Sequence, residues 1–364
     1  MSVPNSSPSA SPSSASKPHT RWPVAVAAGI VGSLIVGLLV LAFLWPTKTL
    51  EPHNLPVSVA GPEQAVAAFQ KALETASPGT IDLVTATGRD DAVDQIKTRQ
   101  TYGGIVLGGP GQSPEVLTAP AAGPAATQML TGLAGQLQAQ LTQQVTASGG
   151  DPNTARFTVT PVVPLAESDP TGTGLAGASF PLMMGGLIGG VLISLAVVGV
   201  GRRLVALAGF ALSTGLVLAL VLQTWFGFLQ GDFWLTALGI GLSVLATSAF
   251  IVGCSSLLGR AGIAVGAVLT MLIGNPLSAA AIPWQFLAEP WGAIGQYMVP
   301  GASNALIRSL SYFPDASSTQ QWWVLIGWTA LGVVLTVLGH FRSRPAMHVP
   351  DASLDEREPQ PAPA

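Results

Sequence analysis

Four long apolar runs, 180–200, 204–226, 233–257 and 261–282, follow one another in the chain, and the only charges among them are Arg202, Arg203, Asp232 and Arg260. A helix of about twenty apolar residues crosses a ~30 Å hydrocarbon core, so each run predicts a membrane span. Two further runs, 22–45 and 323–339, have the same character. Six spans are therefore expected: 22–45 alone, then a five-helix membrane domain over 175–341.

Between 46 and 174 the pattern changes to short alternating elements. Strands are predicted at 55–59, 81–86, 102–107, 116–117 and 157–163. Helices are predicted at 62–75, 90–98 and 121–144, with Ala65, Phe69, Ala72 and Leu73 at helical spacing in the first. Pro62 can open that helix without losing a needed N–H. Strands separated by helices of this length predict a small α/β domain with a largely parallel sheet, inserted between the first and second spans. The glycine-rich stretch 167–178 reads as a linker back to the membrane, and Pro181 as a residue of the second span's first turn.

After the fifth run the apolar pattern is interrupted by Pro276, Pro283, Pro290 and Pro300. Each proline removes a helical N–H and disfavours helix in the residue before it. No piece of 283–313 is long enough to cross, so this segment is read as re-entrant, with 305–312 a short interfacial helix carrying Arg308. Broken helices at membrane depth are tolerated where they are buried in protein or line a wet cavity. Asn275, Pro276, Trp284, Trp291 and Arg308 are the candidate residues of an outer gate. The plainer reading of the same segment is a loop lying in the lipid interface.

Charge orients the chain. Lys17, Arg21, Arg202, Arg203, Arg260, Arg342 and Arg344 all fall at one set of span ends, and the break at 229–232 has no Lys or Arg. Basic residues gather in short cytoplasmic loops, so both termini are expected inside the cell membrane and the α/β domain outside, as an extracytoplasmic domain. Trp22, Trp45, Trp225, Trp234, Trp322 and Trp323 stand at predicted span ends, where indoles favour the interface. The first span is longer than a signal-peptide core, and 42–46 offers no small-x-small cleavage site, so it is expected to stay as an anchor. The tails 1–21 and 342–364, rich in Ser, Pro and Ala or in Pro and acids, are expected to be disordered.

Composition agrees with a membrane protein: 9% of residues are charged and 49% hydrophobic, against roughly 25% charged in soluble domains. A net charge of −3 without a basic stripe argues against nucleic acid as a partner. Cys254 is the single cysteine, so no intrachain disulfide can form. Gly185/Gly189, Gly186/Gly190 and Gly262/Gly266 have the small-xxx-small spacing of close helix packing, within one chain or between two. The glycine turns at 60–62, 103–104 and 108–111 lack phosphate-loop spacing. Asp90, Asp91 and Asp94 read as a solvated helix start and His53 as a bystander. No catalytic set, metal site or cofactor is expected.

The order of parts, with the stretches 168–175 (SDPTGTGL), 274–280 (GNPLSAA), 290–296 (PWGAIGQ) and 300–301 (PG), resembles the ABC-2-type permeases, in particular the actinobacterial Pip/YhgE-like branch. The resemblance covers roughly residues 24–340. It implies the membrane half of an exporter, a homo- or hetero-dimer, with ATP hydrolysis on a separate ATPase subunit. Such permeases present a cytoplasmic coupling helix between the second and third spans, where this chain has only residues 199–203. Intramembrane ionisable residues, which proton- or ion-driven transport needs, are missing from the predicted spans. Two functions are expected to compete: export of an amphiphilic or lipid-like substrate, and a non-transporting envelope protein whose α/β domain binds a partner or ligand.

Overall fold

The structure, a computed structural model, describes residues 21–108, 113–147, 149 and 156–342. The expectations for the terminal tails and for most of the turn at 108–111 lie outside the described residues. Among the described residues five helices are long and apolar enough to cross a membrane, so the chain is a multi-pass helical membrane protein. In chain order the helices are α1 (Trp22–Lys48), α2 (Glu63–Ala76), α3 (Arg89–Lys97), α4 (Pro124–Ala147), α5 (Thr173–Ala196), α6 (Val200–Ala219), α7 (Phe233–Leu258), α8 (Arg260–Ala267), α9 (Trp291–Gln296), α10 (Val299–Tyr312) and α11 (Thr319–Arg342).

The membrane helices assemble around α7, which packs against α5, α6, α8, α10 and α11. It can take the central place because it is rich in Gly, Ala, Ser and Thr, which let backbones approach. Its hydroxyls bond their own helix: Ser243 donates to the Gly239 carbonyl at 2.8 Å and Ser248 to the Val244 carbonyl at 2.8 Å. No polar group of these two side chains is left facing a neighbour or lipid. By contrast α1 is exposed along nearly its whole length and meets the rest mainly where α8 gives way to the turns that follow it.

Two boundaries differ from the sequence expectation. The second span starts at Thr173, so the second half of the stretch read as linker, 173–178, is helix and Pro181 lies inside the span, beyond its first turn. Asp169 is the reason: its carboxylate accepts the backbone N–H groups of Gly174 at 3.0 Å and Leu175 at 2.9 Å, satisfying donors that a helix start leaves open. Leu175 and Ala178 are then buried against the bundle. The fifth span over 261–282 is not formed as one helix. It is eight α-helical residues followed by a six-residue π-helical turn, Val268–Ile273, about 20 Å in length at ~1.5 Å per residue and short of a ~30 Å core. Pro276 then opens a 3₁₀ turn, Pro276–Ser278, and Gly274 lies against the Pro300 ring. The chain nevertheless reaches the opposite end of the bundle, because α11 begins there.

The α/β domain has the expected make-up. Strands β1 (Leu55–Ala60), β2 (Ile81–Thr85), β3 (Gly103–Val106), β4 (Glu115–Thr118) and β5 (Thr158–Pro161) form one sheet in the order β2-β1-β3-β4-β5. All neighbours are parallel except β3 and β4. Side chains alternate between faces: Leu55, Val57, Ile105 and Val116 meet α4, while Ala60 and Leu117 join Ala92 and Ile96 of α3. The second of these cores is completed by Phe313, which follows α10 and is 1% exposed. Domain and membrane bundle thus share a hydrophobic core.

Candidate functional site

The segment between Gly274 and Ser318 forms a layer between bundle and α/β domain. It is compact because glycines allow backbone-to-backbone contact: a β-carbon on Gly292 would overlap the Trp284 carbonyl, one on Gly295 the Leu277 carbonyl, and one on Gly301 the Gly295 carbonyl. Short turns, α9 and α10 therefore stack on one another.

The five expected gate residues are distributed around this layer rather than gathered at one point. Pro276 and Trp291 line the same apolar cavity of about 450 Å³, opposite Ala42 and Trp45 of α1. Asn275 contributes its backbone carbonyl, which accepts from the Ser278 hydroxyl at 2.7 Å. Trp284 stands on the other side of the layer, at two cavities that face the α/β domain, one polar and one mostly apolar. Arg308, expected on an interfacial polar face, is instead 8% exposed. Its guanidinium clamps two segments, donating to the Ala121 carbonyl of the domain at 2.8 Å and to the Ala280 carbonyl of the layer at 2.8 Å.

A second arginine, Arg99, meets the layer from the domain side. It donates to the Ala305 carbonyl at 3.0 Å and the Ser309 hydroxyl at 2.6 Å, both on α10, and lies 5.4 Å from the Phe313 ring centre. Neither arginine has a carboxylate partner: Arg89 with Glu115 is the one ion pair among the described residues. Burial lowers the Arg308 guanidinium to about 10, helped by the like charge of Arg99, and burial lowers Arg99 too. Arg308 stays protonated at neutral pH, and a guanidinium keeps its proton in folded proteins. Burial raises the Tyr102 phenol, against the pull of the two guanidiniums. The junction therefore carries two positive charges answered only by neutral oxygens, an arrangement in which desolvation is poorly offset.

Arg99 lines a polar cavity of about 450 Å³ between the domain, the layer and the start of α11. Amides dominate its lining, among them Gln285, Gln296 and Gln321, with Tyr102 and Trp284 as aromatic walls. The side-chain oxygens of Gln285 and Gln321 are buried and without a hydrogen-bond partner. No group of three or more metal-ligating side chains occurs among the described residues.

Arg99, the glutamines and Tyr102 carried no sequence signal as a group, since they come from segments some two hundred positions apart. One local clue existed. Arg99 sits just past α3 with φ of 60°, where helices favour glycine. His53 also belongs to the junction, its N–H donating to the Gln285 carbonyl at 2.9 Å. Asp91 is a local tie, accepting from the Thr87 N–H at 2.7 Å.

At the far end of the bundle Arg203 closes the turn between α5 and α6. It donates to the carbonyls of Val197 and Ser194 at 2.9 and 3.2 Å and to the Ser256 hydroxyl at 2.7 Å. No known protein family, curated protein or solved structure matches the chain.

Proposed function

We propose that the chain is the membrane-spanning permease subunit of an ABC-2-type exporter in the cell membrane, moving an amphiphilic or lipid-like substrate. In this reading both termini are cytoplasmic, the α/β domain is extracytoplasmic, and a separate ATPase supplies the energy to a homo- or hetero-dimer. One observation carries it: α8 and its π turn stop short of a full crossing, and the chain continues as a broken, glycine-packed layer whose α10 packs on α7. Interrupted helices backed by protein at membrane depth are where transporters place their substrate paths. The π turn is consistent with that, since such turns cluster at working sites.

A second reading, a non-transporting envelope protein whose domain binds a ligand, has its own support. Three residues, 197–199, join α5 to α6, and Arg203 is spent on closing that turn. Little surface remains there for an ATPase to grip. Purification of the tagged chain in mild detergent, with mass spectrometry and an ATPase assay of the eluate, separates the two. The export reading expects an ATPase subunit in stoichiometric amount with ATP turnover. Recovery of the chain alone, or with extracytoplasmic proteins only, would sink it in favour of the second.

A further inference from the structure

We infer that the polar cavity beneath the α/β domain binds the headgroup of an anionic, hydroxyl-rich amphiphile, with its charged oxygens on Arg99 and its hydroxyls on the side-chain oxygens of Gln285 and Gln321. This deepens the export reading and rests on it for the ligand's being an amphiphile.

Charge comes first. Arg99 and Arg308 are held together in the junction with no carboxylate near either, and an uncompensated buried charge is costly. Arg308 has both terminal nitrogens on carbonyls, whereas only one nitrogen of Arg99 is engaged, by the Ala305 carbonyl and the Ser309 hydroxyl, and its side chain borders open volume. An anion entering there meets a planar donor suited to a phosphate or carboxylate. The backbone points the same way. A non-glycine residue in the left-handed region is strained, and glycine at position 99 would avoid that strain at the loss of the charge.

The unsatisfied groups define the rest of the ligand. Gln285 is 9% exposed, and its side-chain oxygen, like that of Gln321, is an acceptor without a donor; both oxygens are covered at the cavity wall and meet a ligand hydroxyl when the side-chain amides turn inward. Acceptors buried without a donor call for hydroxyl groups, which the glycerol, inositol or sugar of a headgroup supplies. Tyr102 and Trp284 add flat apolar walls for a ring or a carbon chain. Location selects an amphiphile over a free solute. The cavity is bounded by Gln320 and Gln321 in the first turn of membrane helix α11, beside Trp322 and Trp323, which sit at the depth of lipid headgroups in this reading.

The test uses the full chain in neutral detergent. Unfolding midpoints are measured with mixed micelles of phosphatidylinositol, phosphatidylglycerol, phosphatidic acid or phosphatidylcholine, and with glycerol 1-phosphate and inorganic phosphate in water. Ligand binding to the folded state raises the midpoint. Phosphatidylinositol and phosphatidylglycerol are expected to raise it, phosphatidic acid less, and phosphatidylcholine not at all. Arg99→Gln should weaken that binding at least tenfold. Gln320→Glu, on the exposed rim, should weaken it as well while leaving the buried contacts intact, so the inference stays testable if Arg99→Gln does not fold. Equal effects of phosphatidylcholine, or variants that bind like wild type, would overturn the site. Equal effects of phosphatidic acid would overturn the hydroxyl assignment, and tight binding of glycerol 1-phosphate alone would overturn the amphiphile. None of these measurements needs an ATPase. Absent lipid selectivity with a co-purifying ATPase sinks this inference only, and selectivity without an ATPase sinks only the export reading.

Discussion

At the scale of single residues, one carboxylate decides where a membrane helix begins. Asp169 is 3% exposed and accepts two backbone N–H groups at the start of α5, while Ser168 donates to the Gly227 carbonyl at 2.7 Å. The pair ties the entry of α5 to the turn after α6. Asp169→Ala should lower stability by about 1–2 kcal/mol, the usual worth of a helix cap, with Asp169→Asn losing less. Thermal unfolding of the full chain in detergent checks this, and an unchanged midpoint in the alanine variant would refute the cap. The residues 168–175 stood out in the sequence, yet their role did not. Gly172, Gly174 and Gly177 made the stretch look like a linker, because glycine disfavours helix in isolation by about 1 kcal/mol. Packing of Leu175 and Ala178 against the bundle overrides that preference.

At the scale of elements, the packing of α7 with α11 rests on glycine. β-carbons added at Gly332 and Gly339 of α11 would overlap the backbone of Ala249 and Ser256 on α7, and one at Gly253 would overlap the Gly332 carbonyl. Gly332→Ala must therefore push the helices apart, at about 1–3 kcal/mol. Gly327→Ala on the same helix meets nothing within 4 Å, and the helix preference of alanine should leave stability equal or up to about 1 kcal/mol higher. Unfolding midpoints of the two variants should move apart; if both fall alike, the close contact is not what holds the pair. The sequence pointed to other glycines, and the structure places most of them inside the chain. Gly186 and Gly190 seat on Thr247 and Ile251, and Gly262 and Gly266 on Cys254 and Ile251, all of α7; Gly189 meets the Phe210 ring, and Gly185 meets nothing. The α7–α11 seam escaped notice because its glycines are divided between two helices. Apolar runs and strand alternation were legible for the opposite reason, since each is a local pattern. The fifth span was overextended because 274–282 stays apolar after Gly274 and Pro276 have ended the helix.

At the scale of the whole molecule, charge is divided between the two ends of the bundle. Arg21, Arg202, Arg203, Arg260 and Arg342 lie at the end away from the α/β domain, and no Asp or Glu among the described residues lies with them. Asp232, Glu289 and Asp315 sit at the domain end, with every acid of the domain itself. Short basic loops stay in the cytoplasm, so the arginine end should face inward and the domain outward. Cys254 is the only cysteine and is buried, so a Cys254→Ala background admits single reporters. Ser317→Cys, beside the junction cavity, should react with a membrane-impermeant maleimide on intact cells. Val198→Cys, in the exposed turn between α5 and α6, should react only after permeabilisation. The reverse pattern would put the domain in the cytoplasm and would remove the outer-leaflet setting on which the headgroup site depends. Labelling of both on intact cells would mean that the chain is inserted in two orientations, which the one-sided arginines argue against, because basic residues beside span ends are retained in the cytoplasm and five of them mark the same end.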